Sequence, residues 1–177
     1  MPNTTLFTMK ILYILLFAVS FTQLNGQNSE SNDCKCCTEH HDDFDFWIGD
    51  WTVYNTNGKI VGTNKISKLY DKCVLREEWQ SKSANRGTSN NFYNPQDGTW
   101  NQVWVDNSGF SLFLKGGLED DKMVLKSELL EGKNGKYYNQ ISWTPNNDGS
   151  VTQLWEYYKE DGTLIKQAFK GIYKKDN

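Results

Sequence analysis

Histidine is nearly missing from this chain. Two stand side by side, His40 and His41, and none follows them. A Ser-His-Asp arrangement would have to borrow one of this pair. Haem held by a histidine further along the chain is excluded. No G-x-S-x-G elbow, P-loop or G-x-G-x-x-G fingerprint occurs, so three common nucleophile and phosphate devices are missing as well. Excess charge is lacking too. The sequence has 19 Lys and Arg against 22 Asp and Glu, a net of −3, which gives no electrostatic reason to expect nucleic acid or anionic membrane as a partner. No cofactor is implied. For catalysis there remain the carboxylates of Glu77, Asp106 or Glu156, or a tyrosine acting as acid, and spacing singles out none of them.

Long hydrophobic runs are absent. The longest apolar stretch, Ile11 to Phe21, is too short for a transmembrane helix, which needs roughly 20 residues. It follows Lys10 and leads into the polar stretch Thr22 to Gly26, the pattern of a signal peptide. Residues 1–26 therefore read as a leader, with cleavage after Gly26 and Ser20 as the rival site; Met9 is a candidate start. No cysteine sits just after the leader, so a lipoprotein anchor is not supported. The expected product is exported, periplasmic or secreted, with no membrane span once the leader is removed. About 150 residues then remain, enough for one domain with a sizeable core. Its oligomeric state is not legible.

Beyond the leader no sustained apolar 3.6 period appears. What is present is alternation. Ten short segments, near 51–56, 59–70, 73–82, 87–94, 99–106, 109–116, 121–130, 136–144, 150–159 and 163–174, are closed by turn signals such as Asn57-Gly58, Asp97-Gly98 and Asp148-Gly149. Asn57-Gly58 reads as a type I′ turn with positive φ at both residues. Hairpin-linked strands at this spacing predict an all-β fold, an up-and-down antiparallel β-barrel of about 8–10 strands. A β-sandwich is the alternative. Residues 27–43 are polar and read as a flexible arm; the barrel domain spans 44–177. A short helical turn is expected near 43–48, capped by Asp42 or Asp43.

Period-two reading sorts the strand faces. Cys73, Leu75, Glu77 and Trp79 share one face. So do Trp100, Gln102, Trp104 and Asp106; Tyr137, Asn139, Ile141 and Trp143; and Val151, Gln153, Trp155 and Tyr157. Each face mixes large rings with one or two polar groups. A solid core avoids such groups, because an unpartnered one costs roughly 1–3 kcal/mol. A ligand cavity uses them to fix orientation. Glu77, Trp79, Gln102, Trp104, Asn139, Gln153 and Trp155 are therefore the candidate ligand-binding residues, for a small apolar or saccharide-like ligand. The bland alternative is that the polar groups satisfy one another. A buried Glu77 without a cation has a raised pKa.

Cys34, Cys36, Cys37, His40 and His41 crowd into eight residues, and the one remaining cysteine is Cys73. Four cysteines allow three pairings. One bridge from the arm to Cys73 is expected, from Cys37, leaving Cys34 and Cys36 hard to pair or free. A zinc or copper site of Cys34, Cys36, His40 and His41, or a thiol-redox role, is the alternative, although the spacing matches no standard structural zinc site.

Taken in order, FDFWIGDW at 44–51, the landmarks Cys37 and Cys73, the segment Cys73 to Trp79, Gly98 to Asp106 and Val151 to Glu156 resemble an uncharacterised family of exported bacterial proteins with an F-D-F-W-x-G-x-W opening. The resemblance covers roughly residues 37–173. It implies a lipocalin-like (calycin) barrel outside the cytoplasm and supplies no catalytic role. Apart from the resemblance, Trp and Tyr platforms with nearby amides and carboxylates, together with the leader, suit an accessory function in extracellular polysaccharide use, by sugar binding or carboxylate chemistry. Within FDFWIGDW, Phe44, Phe46 and Trp47 are expected to plug one barrel end, with Gly49 allowing the bend into the first strand.

Overall fold

The computed structural model describes residues 34–175. The expected leader, 1–26, and the start of the arm, 27–33, lie outside these residues. A short helix α1 (Glu39–Asp42) and a 3-10 turn (Asp45–Trp47) lead into eleven strands: β1 (Gly49–Tyr54), β2 (Ile60–Leu69), β3 (Val74–Ser81), β4 (Arg86–Asn94), β5 (Thr99–Asp106), β6 (Ser111–Glu119), β7 (Lys122–Lys126), β8 (Leu130–Gly132), β9 (Gly135–Pro145), β10 (Val151–Lys159) and β11 (Leu164–Lys175). Each strand pairs antiparallel with its neighbours, and β10 pairs with both β9 and β11. Ten strands thus close an up-and-down barrel, and β8 lies outside it, paired only with β9. Closure leaves the ten barrel strands without a free edge. The architecture is consistent with a lipocalin-like barrel.

The segment expected as one strand over 121–130 is broken. Strand β7 ends at Lys126, and Ser127 turns its hydroxyl to the backbone N–H of Asn139, 2.9 Å away. The chain resumes pairing with β9 only at Leu130. The helical turn is also divided: α1 ends before Asp43, and the 3-10 turn has no side-chain cap.

Four hairpins use one turn. Gly58, Gly109, Gly149 and Gly162 each donate N–H to the carbonyl three residues earlier, at 2.9–3.0 Å, and each has φ between 75° and 84°. Asn57 is not among the positive-φ residues, so Asn57-Gly58 is not a type I′ turn. The loop has one more residue, a tight turn followed by a left-handed glycine, which still matches strand twist. The two-residue turn with both φ values positive occurs instead at Asp120-Asp121, with φ of 45° and 63°.

One end of the barrel is filled. Phe44 and Trp47 are wholly buried, and Phe44 meets Trp47, Trp100 and Trp143 at ring distances of 5.0–5.7 Å. The Nε1–H of Trp51 donates to the Trp47 carbonyl at 2.8 Å, fixing the plug against β1. Gly49, at φ 144°, makes the bend between them.

The cysteine pairing differs from the expected one. Cys36 bonds Cys73, and Cys34 bonds Cys37. In place of a Cys37–Cys73 bridge, Cys37 closes a tight turn in which its N–H reaches the Cys34 carbonyl at 3.2 Å. That turn leaves Cys36 to meet Cys73 at the β2–β3 connection. The bridge and packing also hold residues 34–43 against the barrel. His41 is buried, His40 stacks on Tyr93 at 5.3 Å, and Trp100 Nε1–H donates to the His40 carbonyl at 3.1 Å.

Candidate functional site

The end opposite the plug contains a cavity of about 390 Å³, within the range of small-molecule sites. Strand alternation delivers its lining. Leu75 and Trp100 point inward at the plugged end, and two steps along their strands Glu77 and Gln102 face the barrel's middle. Two further steps bring Trp79 and Trp104 to the open end. On β10 the same sequence runs Val151, Gln153, Trp155. Glu77, Trp79, Gln102, Trp104, Gln153 and Trp155 all line the cavity, together with Phe110, Phe169 and Tyr173. Asn139 does not reach it. Its Oδ1 accepts the Nε1–H of Trp155 at 2.9 Å, so it positions that ring from the side.

The tryptophans lie flat where the neighbouring strand has no side chain. A Cβ on Gly62 would collide with the Trp79 ring and stand 2.6 Å from the Gln80 carbonyl; one on Gly87 would collide with Trp104 and stand 2.8 Å from the Val105 carbonyl. Phe169 covers Gly171 of its own strand, with a Cβ there only 2.7 Å from its ring. Phe110 stacks on Trp155 at 6.3 Å and 25°. The wall is thus aromatic faces on glycine shelves.

The floor is a belt of polar side chains. Glu77 Oε1 accepts from Asn64 Nδ2 and Oε2 from Ser89 Oγ, both at 2.7 Å. Asn91 Nδ2 donates to Ser89 Oγ at 2.9 Å, and Gln102 Nε2 donates to Asn91 Oδ1 at 2.8 Å. On the other flank Tyr173 donates its hydroxyl to Gln153 Oε1 at 2.5 Å. Glu77 is 4 % exposed. Burial pushes its carboxyl above the ordinary value of 4.5, and the donors Asn64 and Ser89 only partly offset this. Burial likewise raises the Tyr173 phenol well above 10, with the Glu77 charge adding to it. The polar groups of the belt bond one another, and four of them, Glu77, Gln102, Gln153 and Tyr173, also border the cavity.

At the mouth Asn85 accepts from Trp79 Nε1 at 3.2 Å and donates to Asp106 Oδ2 at 3.1 Å. The Ser108 hydroxyl, bonded to the other oxygen of Asp106, holds that carboxyl below its usual range. Glu156 is not part of the lining; it accepts the Tyr158 hydroxyl at 2.7 Å, and that phenol is pushed up to about 12, by burial first and Glu156 next.

No family model and no curated protein matches the sequence. The site is consequently read on its own chemistry. The alternative metal site is corrected by the pairing above: Cys34 and Cys36 are both in disulfides and offer no thiolate, and a thiolate is the form that binds metal. His41 Nδ1 is within 2.7 Å of Thr38 Oγ1, and His40 Nδ1 is 3.6 Å from Asp43. Among the described residues no three His, Cys, Asp or Glu side chains converge as a metal-holding group, and no helix is long and apolar enough to cross a membrane.

Sequence reading missed Asn64, Asn85, Ser89, Asn91, Phe110, Phe169 and Tyr173. Strand β4 (RGTSNNFYN) has polar side chains on both faces for most of its length, so alternation gave no clue that Ser89 and Asn91 point inward. The glycines were the available signal: Gly62 and Gly87 inside strands imply that something large approaches closely.

Proposed function

We propose that this barrel binds one small, partly apolar organic molecule in the cavity bounded by Trp79, Trp104 and Trp155. The observation that supports it best is the division of the lining. Five aromatic side chains form the wall, while Glu77, Gln102, Gln153 and Tyr173 present polar atoms at depth. Apolar walls with a few convergent polar groups are the usual composition of a ligand site. An enzyme reading has less support, since among the described residues no second titratable group is bonded to the Glu77 carboxyl to share proton transfer.

We place the protein outside the cytoplasm. The leader at 1–26 and membership of the exported family with the F-D-F-W-x-G-x-W opening belong to the same proposal. Two disulfides are compatible with an oxidising compartment.

The test is quenching or shift of tryptophan fluorescence on titration with a library of small aromatic, aliphatic and saccharide compounds. Binding should be saturable and lost in Trp104→Ala and Trp155→Ala. Unchanged binding in both variants would sink the assignment of the site. A saccharide is the second reading, favoured by the Trp79–Asn85–Asp106 chain at the mouth; sugars binding more tightly than all non-sugars in that library decides for it.

A further inference from the structure

The charges around the cavity are all of one sign. Among the described residues its lining includes two carboxyl groups, Glu77 at depth and Asp106 at the mouth, and no lysine, arginine or histidine. The two hydrogen-bond partners of Glu77 are neutral, an amide and a hydroxyl. A carboxylate has about four acceptor positions, so room for further donors remains on the cavity side. The walls meanwhile offer the faces of three indoles and two phenyl rings, and among aromatic rings the indole face attracts cations most strongly. An anionic ligand would meet the ionised Asp106 at the mouth and gain no counter-charge at depth. A neutral ligand would leave Glu77 as it is, buried without compensation.

We propose that the ligand is a small organic monocation, a primary or secondary amine on a short aromatic or apolar body, whose ammonium pairs with Glu77 while its body lies between Trp79, Trp104 and Trp155. This rests on the cavity being the binding site. The cation restores to Glu77 the charge compensation that burial removed, and an ion pair shielded from water gains more than an exposed one. Gln102 and Gln153 flank the pair with amide oxygens able to accept the remaining ammonium hydrogens.

The pairing has a proton balance. Between the ordinary carboxyl value of 4.5 and the raised value of Glu77, the empty site holds a proton on that carboxyl. The incoming ammonium keeps its own protons. The Glu77 O–H bond breaks, its proton leaves to solvent, and one carboxylate–ammonium contact forms. Within that window up to one proton is released per ligand bound, and affinity rises with pH until Glu77 is ionised in the free protein. The titratable groups facing Glu77 are Tyr173 on β11, which stays neutral because its phenol is raised well above 10, and Asp106 across the cavity on β5, which is already ionised because its carboxyl is lowered.

The decisive probes are three compounds of one shape: 2-phenylethylamine, 2-phenylethanol and phenylacetate. Titration calorimetry in two buffers of different ionisation enthalpy reads both affinity and proton release. The amine should bind at least about tenfold more tightly than the alcohol, with proton release, and phenylacetate weakest. Glu77→Gln should abolish the preference and the proton release while a Trp104→Ala variant weakens amine and alcohol alike. If the alcohol or the acid equals the amine, or Glu77→Gln keeps the preference, the cation proposal fails and the cavity reading stands. If none of the three binds while saccharides or aliphatic compounds do, the cation proposal again fails alone. If nothing in either set binds, the cavity reading fails with it. A thermal unfolding transition for Glu77→Gln separates lost binding from lost fold.

Discussion

At the plugged end of the barrel, rings meet rings. Phe44, Trp47, Trp100 and Trp143 fill the space against one another, and the indole N–H groups of Trp47 and Trp143 have no hydrogen-bond partner. At the open end, Trp79 and Trp104 rest on glycine backbone, and Trp155 is held by the Asn139 amide and the Phe110 ring. Aromatic content alone therefore does not distinguish a core from a site. What distinguishes them is the neighbour. A ring enclosed by rings has no free face. A ring laid on a backbone keeps one face open, and the N–H groups of Trp79 and Trp155 are aimed by asparagine side chains.

The sharpest break in that comparison is a pair of truncations. Trp47→Ala should cost about 3–5 kcal/mol in chemical denaturation, as expected for deleting a large buried ring. Trp104→Ala should cost under about 2 kcal/mol, because that ring already faces a cavity, yet remove binding. Equal losses of stability would mean that the two ends are one core. Next comes the tether. Replacing Cys36 and Cys73 together by alanine should lower stability by about 2–4 kcal/mol in urea, since their bridge closes a long loop. Replacing Cys34 and Cys37 should cost less, as they are three residues apart. The reverse ranking would show that the plug does not depend on its link to β3.

The smallest effect concerns the belt between the ends. The folded protein holds the Glu77 proton more tightly than the unfolded chain does. Its contribution to stability is fully present below about pH 4.5, and is lost as pH rises through the raised folded value. The slope is at most about 1.4 kcal/mol per pH unit for one proton. Glu77→Gln should remove that component of the slope and be relatively more stable at pH 8 than at pH 4. A wild type whose difference from the variant is constant with pH would show Glu77 to be compensated in a way the two neutral donors do not provide.

The contrast also marks how far the sequence could be read. The barrel was legible because alternation and turn residues repeat ten times, and a period-two error would put Leu75, Trp100 and Val151 in solvent. The inward face of Glu77, Gln102 and Gln153 followed from the same count. The belt was only half legible. Asn64 is flanked on its face by Gly62 and Ile66, and Ser89 and Asn91 sit in a strand without apolar alternation, so nothing local reveals their burial. The cysteine pairing was not legible because it depends on a turn at 34–37 formed by the chain's approach to β3. The type I′ turn was misplaced for a related reason: Asn-Gly permits that geometry but does not demand it, and the loop length decided.

Gly62 and Gly87 carry one more consequence. Neither borders the cavity, yet each sets how far an indole can lean back from it. A single methyl at either position would collide with an indole and with a strand carbonyl together, so the sheet as well as the ring would have to shift. The width of the cavity is therefore set from behind the wall, by residues that do not line it.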